Sequence, residues 1–353
     1  MKTPPFVPAR LGGFGLAEIM VALVIGLITT LVIMQVMTNF EGQKLATGGN
    51  ADAQTNGSIA LYTMQRQIQI AGYGLPVFSH QNQPLHCDPS PTIDDDGDTA
   101  TAEIGISPIA IVDGGNGAGA SDRIVIHSGN SATGGLPITI SNVVGNDLSM
   151  SNNLGCQVND IALITKGTSC AMTKVTAITG TTQVSLQSAA GAAVGATLGC
   201  MTGWHETEYR VSGTSLLENG SPSVSGIVNI QAQYGISDAP DSNQVTAWVD
   251  ASGATWGAPT IDNRNRIKAI RIAVVARNGL LEKDAVTAPC SSLTSDKPGG
   301  LCAWAGTAAH PAPAIDLSKT ADGKDNSNWQ RYRYRVFETI VPLRTMIWSS
   351  DTL

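Results

Sequence analysis

Charged and aromatic side chains are scarce in this chain of 353 residues, where they make up 14% and 5%. The five histidines are dispersed, and no G-x-S-x-G, H-E-x-x-H, C-x-x-C or P-loop pattern occurs. The sequence therefore contains no catalytic constellation and no zinc ribbon, and we expect a protein that is not an enzyme and requires no cofactor. The formal net charge of −7 argues against a general nucleic-acid binder.

Long apolar runs are equally rare, with one exception near the start. Residues from Phe14 to Met37 are apolar apart from the single charge of Glu18. A helix of about 24 residues, at about 1.5 Å each, crosses a hydrocarbon core of about 30 Å. The preceding residues carry Lys2 and Arg10 and no acid, which places them on the cytoplasmic side and the rest of the chain outside.

The junction between leader and apolar run is unusual because it ends in Gly12-Gly13 before the run begins. Together with Phe14 and Glu18, it resembles the class III signal of type IV pilins and type II secretion pseudopilins. The resemblance implies that prepilin peptidase cuts after Gly13 and methylates the Phe14 amine, and that Glu18 pairs with the amine of a neighbouring subunit. Gly15 and Ala17 depart from the usual pattern.

A carboxylate in a spanning helix has a physical cost that supports this role. Insertion scales put the cost of such an acid at about 2.5–3.5 kcal/mol, so these groups are normally paired. The alternative is that Glu18 extends to the membrane interface and has no charged partner.

The next stretch, residues 39–75, is predicted to be an amphipathic helix that is bent or broken at glycines 42, 48 and 49, since each interior glycine costs about 1 kcal/mol. An apolar stripe at helical spacing follows and predicts packing on a sheet. Its members are Ala60, Leu61, Met64, Ile68 and Ala71.

Four segments resemble PilW-type minor pilins and occur in that family's order. The first runs from Asn56-Gly57 to Ala71-Gly72-Tyr73. The others are Ser225–Gly235, Arg266–Arg277 and Tyr332–Arg344.

Beyond residue 76, short apolar runs alternate with clusters of Gly, Asn, Ser and Thr, which predicts antiparallel strands joined by turns. Ile109–Val112 followed by a glycine-rich stretch mimics a nucleotide-binding loop. The next segment reads as a strand and not a helix, so a hairpin is predicted. The other predicted strands are Ile124–His127, Val158–Thr165, Met172–Ile178, Val184–Leu186 and Glu208–Val211.

The acidic stretch from Thr92 to Glu103 fits a twelve-residue calcium loop in part. Carboxylates occupy its third, fifth, seventh and twelfth places, and Gly97 the sixth. The first place is Thr92, and nearby prolines exclude an entering helix, so it is no EF-hand. A solvated acidic turn is the preferred interpretation, and a calcium site is the alternative. The candidate ligands are Asp94, Asp96, Asp98 and Glu103.

Arg331, Arg333 and Arg335 alternate with other residues, which predicts an arginine row on one face of a strand. Such a row beside aromatic residues could contact DNA. A solvated or subunit-facing strand is the simpler interpretation.

The chain has six cysteines, an even number, and all lie in the part predicted to be outside the membrane. An oxidising compartment favours up to three disulfides. Because short loops close most readily, we predict Cys290–Cys302 and Cys156–Cys170, which leaves Cys87–Cys200.

These observations predict an α+β, pilin-like fold with a long amino-terminal helix packed on a large antiparallel β-rich head. The predicted parts are a leader (1–13), an assembly helix (14–38), the bent or broken helix (39–75) and the head (76–353). The resemblance implies a minor pilin of the inner membrane and later the pilus surface, which primes assembly within a tip complex. Its implied partners are other minor pilins, the major pilin, the assembly machinery, prepilin peptidase and lipid. The alternatives are a type II secretion pseudopilin and a tip adhesin or DNA-capture subunit.

Overall fold

The computed structural model describes residues 15–76, 86–94, 103–130 and 135–348, with the backbone alone at 39 and 41–47. The chain divides into two compact units, Met1–Ala51 and Asp52–Leu353, and each is described by itself. An apolar amino-terminal helix and an antiparallel β-rich head are both present, which confirms the predicted α+β class.

Helix α1 runs from Leu16 to Gln69 and belongs to the first unit up to Ala51. Its segment Leu16–Thr38 has a mean hydropathy of 2.6 and is long and apolar enough to cross a membrane. The backbone is helical at Gly42, Gly48 and Gly49, so a break is wrong and the alternative, a bend, stays a prediction. Each interior glycine weakens a helix by only about 1 kcal/mol, which the hydrogen bonds of the flanking turns can offset.

The head contains four sheets in the part of the chain that the structure describes. Their strands pair antiparallel throughout. In chain order they are β1 (Thr92–Ile93), β2 (Ile104–Gly105), β3 (Ile109–Val112), β4 (Arg123–Ser128), β5 (Ile138–Val144), β6 (Asp147–Met150), β7 (Ile161–Lys166), β8 (Ser169–Thr179), β9 (Gln183–Leu186), β10 (Thr197–Met201), β11 (His205–Ser212), β12 (Ser215–Glu218), β13 (Ser221–Ser225), β14 (Ile227–Ile236), β15 (Ala247–Val249), β16 (Ile267–Arg277) and β17 (Tyr334–Pro342).

Short helices complete the described head. They are α2 (Gly253–Trp256), α3 (Ile261–Arg266), a 3₁₀ turn (Trp329–Arg331) and α4 (Arg344–Trp348).

Six consecutive strands, β5 to β10, form a closed barrel in the order β10-β5-β6-β9-β8-β7. The barrel has its own apolar core, which includes Ile140, Leu148, Val175 and Leu198, all fully buried. It is inserted between β4 and β11, which pair with each other in the five-stranded sheet β13-β12-β11-β4-β3. The two ends of the insertion meet, because the Asn130 N–H donates to the Thr202 carbonyl at 3.0 Å.

The four-stranded sheet β15-β14-β16-β17 is covered on both faces. Ile230 and Ile272 on one face join the main core, which also contains buried residues of α1. Ala273 and Val275 on the other face pack against Leu301 and other apolar residues of the segment between β16 and β17. Because both faces are covered, every residue of β14 and most residues of β16 are buried. In a sheet with one solvated face, buried and exposed residues would alternate along each strand.

Each predicted strand corresponds to a strand of the structure, with ends that differ by up to three residues. The Ile109–Val112 hairpin with β4 is confirmed, which removes the nucleotide-loop interpretation. The prediction that a strand begins at Val158 is wrong, because β7 begins at Ile161. Residues before it form a turn in which the Gln157 N–H donates to the Asp160 carboxylate at 2.7 Å.

The three disulfides are Cys87–Cys170, Cys156–Cys200 and Cys290–Cys302. The predicted Cys290–Cys302 bond is present. The predicted Cys156–Cys170 and Cys87–Cys200 bonds are wrong. The prediction favoured cysteines close in sequence, whereas the arrangement of the strands determines which cysteines lie close in space. Cys156 and Cys200 both belong to the barrel core. Cys170 is the second residue of β8, close to the point where the Asp88 N–H donates to the Thr168 carbonyl.

Candidate functional site

Glu18 lies in the first turn of α1 and is exposed. Its carboxylate accepts a hydrogen bond from the backbone N–H of Gly15, the residue before the helix, at 3.3 Å. This is half of a capping box, and it stabilises the helix start because the carboxylate also faces the positive end of the helix dipole. Gly15 has no hydroxyl to complete the box, so the carboxylate keeps lone pairs for a cationic partner.

Gly13 and Phe14, the predicted cleavage and methylation residues, lie outside the described residues, so those assignments stay predictions.

Small residues share the helix face of Glu18. Ala22 and Gly26 follow it at intervals of four, and a Cβ added at Gly26 would meet no atom within 4 Å. Small residues at this spacing let a second helix backbone approach closely within a membrane. A neighbouring helix that packs on this face would therefore come within reach of Glu18.

The remainder of the Leu16–Thr38 surface is mostly apolar, and none of it is buried in the chain. Leu23 is 63% exposed and Met34 is 70% exposed. An apolar surface of this length in water is strongly unfavourable, so lipid or other helices must cover it.

In the second unit, α1 packs on the head through the apolar stripe that was predicted from the sequence. Ala60, Met64 and Ile68 are fully buried, and Ala71 is 1% exposed. Leu61 is partly buried against the same core. The prediction that this stripe packs on the head is confirmed.

Gly57 marks the closest approach between this helix and the four-stranded sheet. A Cβ at Gly57 would overlap the ring of Phe337 on β17. Glycine is therefore required by the helix–sheet distance and not by helix propensity, which disfavours it. This gives a physical reason for the glycine in the Asn56-Gly57 segment.

The end of α1 is clamped to the head by hydrogen bonds. The Gly72 N–H donates to the carbonyl of His127 on β4 at 2.8 Å, and the Thr345 hydroxyl donates to the Ala71 carbonyl at 2.6 Å. Gly72 has φ +76°, and a Cβ there would crowd Pro108 and Thr345. The Ala71-Gly72-Tyr73 segment thus turns the chain where no larger residue fits.

The three later segments that resemble PilW-type pilins are adjacent strands of one sheet. Ser225–Gly235 contains most of β14, Arg266–Arg277 contains β16, and Tyr332–Arg344 contains β17. These strands form the face that receives α1. The patchy resemblance along the sequence therefore corresponds to one continuous helix-on-sheet unit.

A buried carboxylate joins this sheet to the hairpin between β3 and β4. Asp122 accepts hydrogen bonds from the N–H groups of Gly114, at 2.9 Å, and Ala232, at 2.7 Å. Burial raises the pKa of Asp122 to about 7, although the two backbone hydrogen bonds oppose the shift. Sequence analysis missed this residue, because nothing in the pattern Ser121-Asp122-Arg123 shows that the aspartate faces inward.

Two of the four candidate calcium ligands lie among the described residues. Asp96 and Asp98 lie outside the described residues, whereas Asp94 and Glu103 are exposed near the ends of β1 and β2. The Thr92 hydroxyl donates to the Glu103 carboxylate. Among the described residues, no group of three or more His, Cys, Asp or Glu side chains is placed to hold a metal. The calcium site stays a prediction.

The predicted arginine row is wrong at Arg331, which is not part of the strand. Arg331 ends a 3₁₀ turn, and Arg333 precedes β17, which begins only at Tyr334. Both contact Glu282: Arg331 Nε donates to its backbone carbonyl at 2.8 Å, and Arg333 Nε to its carboxylate at 2.9 Å. Alternation in sequence predicts one face only where the backbone is extended, and here the turn interrupts it.

Residues 206–345 match the family model described as type IV pilus-assembly protein W, PilW. No curated protein and no solved structure matches the chain. The matched segment begins in β11, directly after the barrel, and ends in α4. It includes all three strands that receive α1. The resemblance to PilW-type pilins is therefore confirmed over residues 206–345, which match a family of type IV pilus-assembly proteins.

Proposed function

We propose that the chain is a minor pilin that helps to prime type IV pilus assembly within a minor-pilin complex at the tip. The observation that carries the proposal is the combination of the PilW match with an unburied apolar helix that has one carboxylate in its first turn. The family is an assembly family and not a catalytic one. Leader residues Lys2 and Arg10 orient the helix with its amino terminus in the cytoplasm and the head outside.

In this mechanism, cleavage after Gly13 leaves an amine on Phe14 near the apolar segment. Glu18 of one subunit then pairs with the amine of another as their helices pack along the Ala22–Gly26 face. Pairing removes two unfavourable charges from the membrane together, which favours transfer of the helix from lipid into a helix bundle.

The first experiment is mass analysis of the chain from cells with and without prepilin peptidase. We expect a mature chain that begins with methylated Phe14 only when the peptidase is present. Gly13→Ala should leave the leader attached, whereas Gly12→Ala serves as the matched control. A chain that still begins at Met1 in the presence of the peptidase would contradict the proposal.

The second experiment tests the role of Glu18 by complementing a deletion strain. Glu18→Gln has nearly the same shape and lacks the charge, so we expect processing to continue while pilus number falls about tenfold or more. Thr30→Val, on the same helix, is the control for altered polarity. Normal piliation with Glu18→Gln would remove Glu18 from the mechanism.

The deletion strain also separates the alternatives. Loss of pili with intact secretion supports the minor pilin, and the reverse supports a secretion pseudopilin. The inserted barrel, which lies outside the matched segment, favours a head-specific binding role as second candidate. Normal piliation with lost surface attachment or DNA uptake would support that candidate.

A further inference from the structure

Strand β3 is an outer strand of the five-stranded sheet, and its other side is free of any strand among the described residues. Ile109 lies opposite Ile126, and the His127 N–H donates to the Pro108 carbonyl at 2.9 Å. In an antiparallel pair, successive residues alternately hydrogen-bond to the partner strand and point away from it. Because Pro108 bonds to β4, the backbone N–H and C=O groups of Ile109 and Ile111 point away from β4. The edge thus presents backbone donors and acceptors at strand spacing.

One of these outward groups already has a substitute partner. The Ile111 N–H donates to the hydroxyl oxygen of Tyr234 at 2.7 Å. The hydroxyl lies where a carbonyl oxygen of a neighbouring strand would lie. The adjacent Ile109 N–H and the outward carbonyls are the groups that an added strand would use.

A cavity of about 360 Å³ lies against this edge. Six consecutive residues, 107–112, line the cavity, so the cavity runs along the whole of β3. The opposite walls come from Tyr234, the loop 257–259 and Leu343 and Met346 near the carboxyl end. Its volume is within the range of natural ligand sites.

A cationic side chain lines the same cavity. Arg264, from α3, donates through Nη2 to the Cys87 carbonyl, while its Nε is buried without a hydrogen-bond partner. None of the ion pairs within 4 Å in the described part of the chain includes it. Burial lowers the pKa of Arg264, an effect that the charge of Asp88 opposes. A half-buried guanidinium in this state favours an anionic ligand.

We propose that this cavity binds an extended peptide segment of a partner protein, which adds as a strand to the edge of β3 and places a carboxylate against Arg264. The backbone edge selects a peptide over a lipid tail, because a lipid tail has no groups to pair with outward N–H and C=O groups. The proposal is independent of the assembly role, since it concerns the head alone.

The test uses the full chain in detergent and the probe acetyl-Val-Thr-Val-Asp-amide, followed by calorimetry. Strand addition depends mainly on main-chain hydrogen bonds, so a generic sequence should bind measurably at millimolar concentration. Hydrogen exchange of the Ile109 amide should slow when the peptide is present. No binding at several millimolar would overturn the proposal.

Two matched probes separate the parts of the interaction. The same peptide with alternate amides N-methylated keeps the charge and side chains, and should bind about tenfold more weakly because strand pairing is blocked. The version that ends in Asn should lose about as much because the charge-assisted bond is lost. Equal binding of the N-methylated peptide would exclude strand addition.

Protein variants identify the cationic contact. Arg264→Gln should weaken the Asp peptide about tenfold and leave the Asn peptide unchanged, and Arg264→Lys should restore part of the difference. The exposed Arg335→Gln on β17 is the control and should bind like the original chain. An unchanged preference for Asp in Arg264→Gln would remove Arg264 from the site, and the Asn peptide reports on folding of the variant.

Discussion

Gly57 shows how one residue sets the distance between two elements. Its backbone lies against the ring of Phe337, so an added methyl group has no space, whereas a Cβ at Gly48 on the same helix meets no atom within 4 Å. A sequence scale that ranks residues by helix propensity treats both glycines alike. The structure distinguishes them.

Gly57→Ala should therefore destabilise the head by about 1–3 kcal/mol, less the gain in helix propensity. Gly48→Ala, the control, should be neutral or stabilising. Thermal unfolding of the full chain in detergent, followed by circular dichroism, provides the measurement. Adding Phe337→Ala to Gly57→Ala should remove the further cost of the methyl group. Equal stability of the two single variants would show that the ring moves aside freely.

Asp122 predicts a dependence of stability on pH. Because burial raises its pKa in the folded chain to about 7, above the ordinary value near 3.8, folding favours the protonated form. Its contribution is fully present below about pH 4 and is lost as pH rises through about 7. The free energy of unfolding should fall between these values by at most about 1.4 kcal/mol per pH unit from this group.

Asp122→Asn removes the titrating group, and denaturant unfolding at several pH values should show a flatter profile, even though the variant loses one backbone hydrogen bond. Asp284→Asn is the control, because Asp284 is exposed and is not among the groups that shift the pKa of Asp122. An unchanged slope in Asp122→Asn would assign the pH dependence to other groups.

At the scale of elements, the barrel and the region after β16 each have a disulfide of their own. Cys156 and Cys200 are 44 residues apart and both contribute to the barrel core, whereas Cys290 and Cys302 are 12 apart in a loop. Chain entropy gives the longer closure about 4 kcal/mol and the shorter about 3 kcal/mol.

Cys156→Ala with Cys200→Ala should therefore open the barrel preferentially. Hydrogen exchange should accelerate in β6 and β9, whose buried side chains belong to the barrel core alone, while β14 and β16 stay protected because they belong to other cores. Cys290→Ala with Cys302→Ala should leave barrel exchange unchanged. Uniform acceleration across all strands in the first pair would mean that the barrel and the sheets unfold as one unit.

At the scale of the whole molecule, the barrel is an insertion in a hairpin of the head. Its ends are hydrogen-bonded to each other, and β4 pairs with β11 directly beyond them. The family match begins only after it. These three facts indicate that the barrel is an insertion with a core of its own, although Ile161, Leu163 and Met201 also contribute to the main core.

Replacing residues 131–202 by Asn-Gly, with Cys87→Ser because its partner Cys170 is removed, should leave a folded chain of lower stability, because Ile161, Leu163 and Met201 are lost from the main core. Limited proteolysis and circular dichroism should show an intact β-rich core. The control removes Gly213–Ser225, a hairpin that contributes Leu216 and Val224 to the main core, and should unfold. Aggregation of the barrel deletion to the same extent as the control would mean that the barrel is required for the fold.

Features that depend on neighbouring residues could be predicted from the amino-acid sequence. Hydrophobicity and length predict the spanning segment, spacing of three and four predicts the buried stripe of α1, and glycine clusters separate the strands. Each signal depends on neighbours within a few residues, so it is readable without a fold. The same holds for Cys290–Cys302, which closes a short loop.

Long-range pairing was decided only by the tertiary structure. Four features depend on which distant segments of the chain meet. They are the closed barrel, the disulfide partners of Cys87 and Cys156, the inward position of Asp122 and the turn that removes Arg331 from β17. Loop length limits such pairings only weakly, because the closure cost grows as the logarithm of the separation. Burial and hydrogen bonding between strands then determine which partner each side chain contacts, and neither can be predicted from a short segment of sequence.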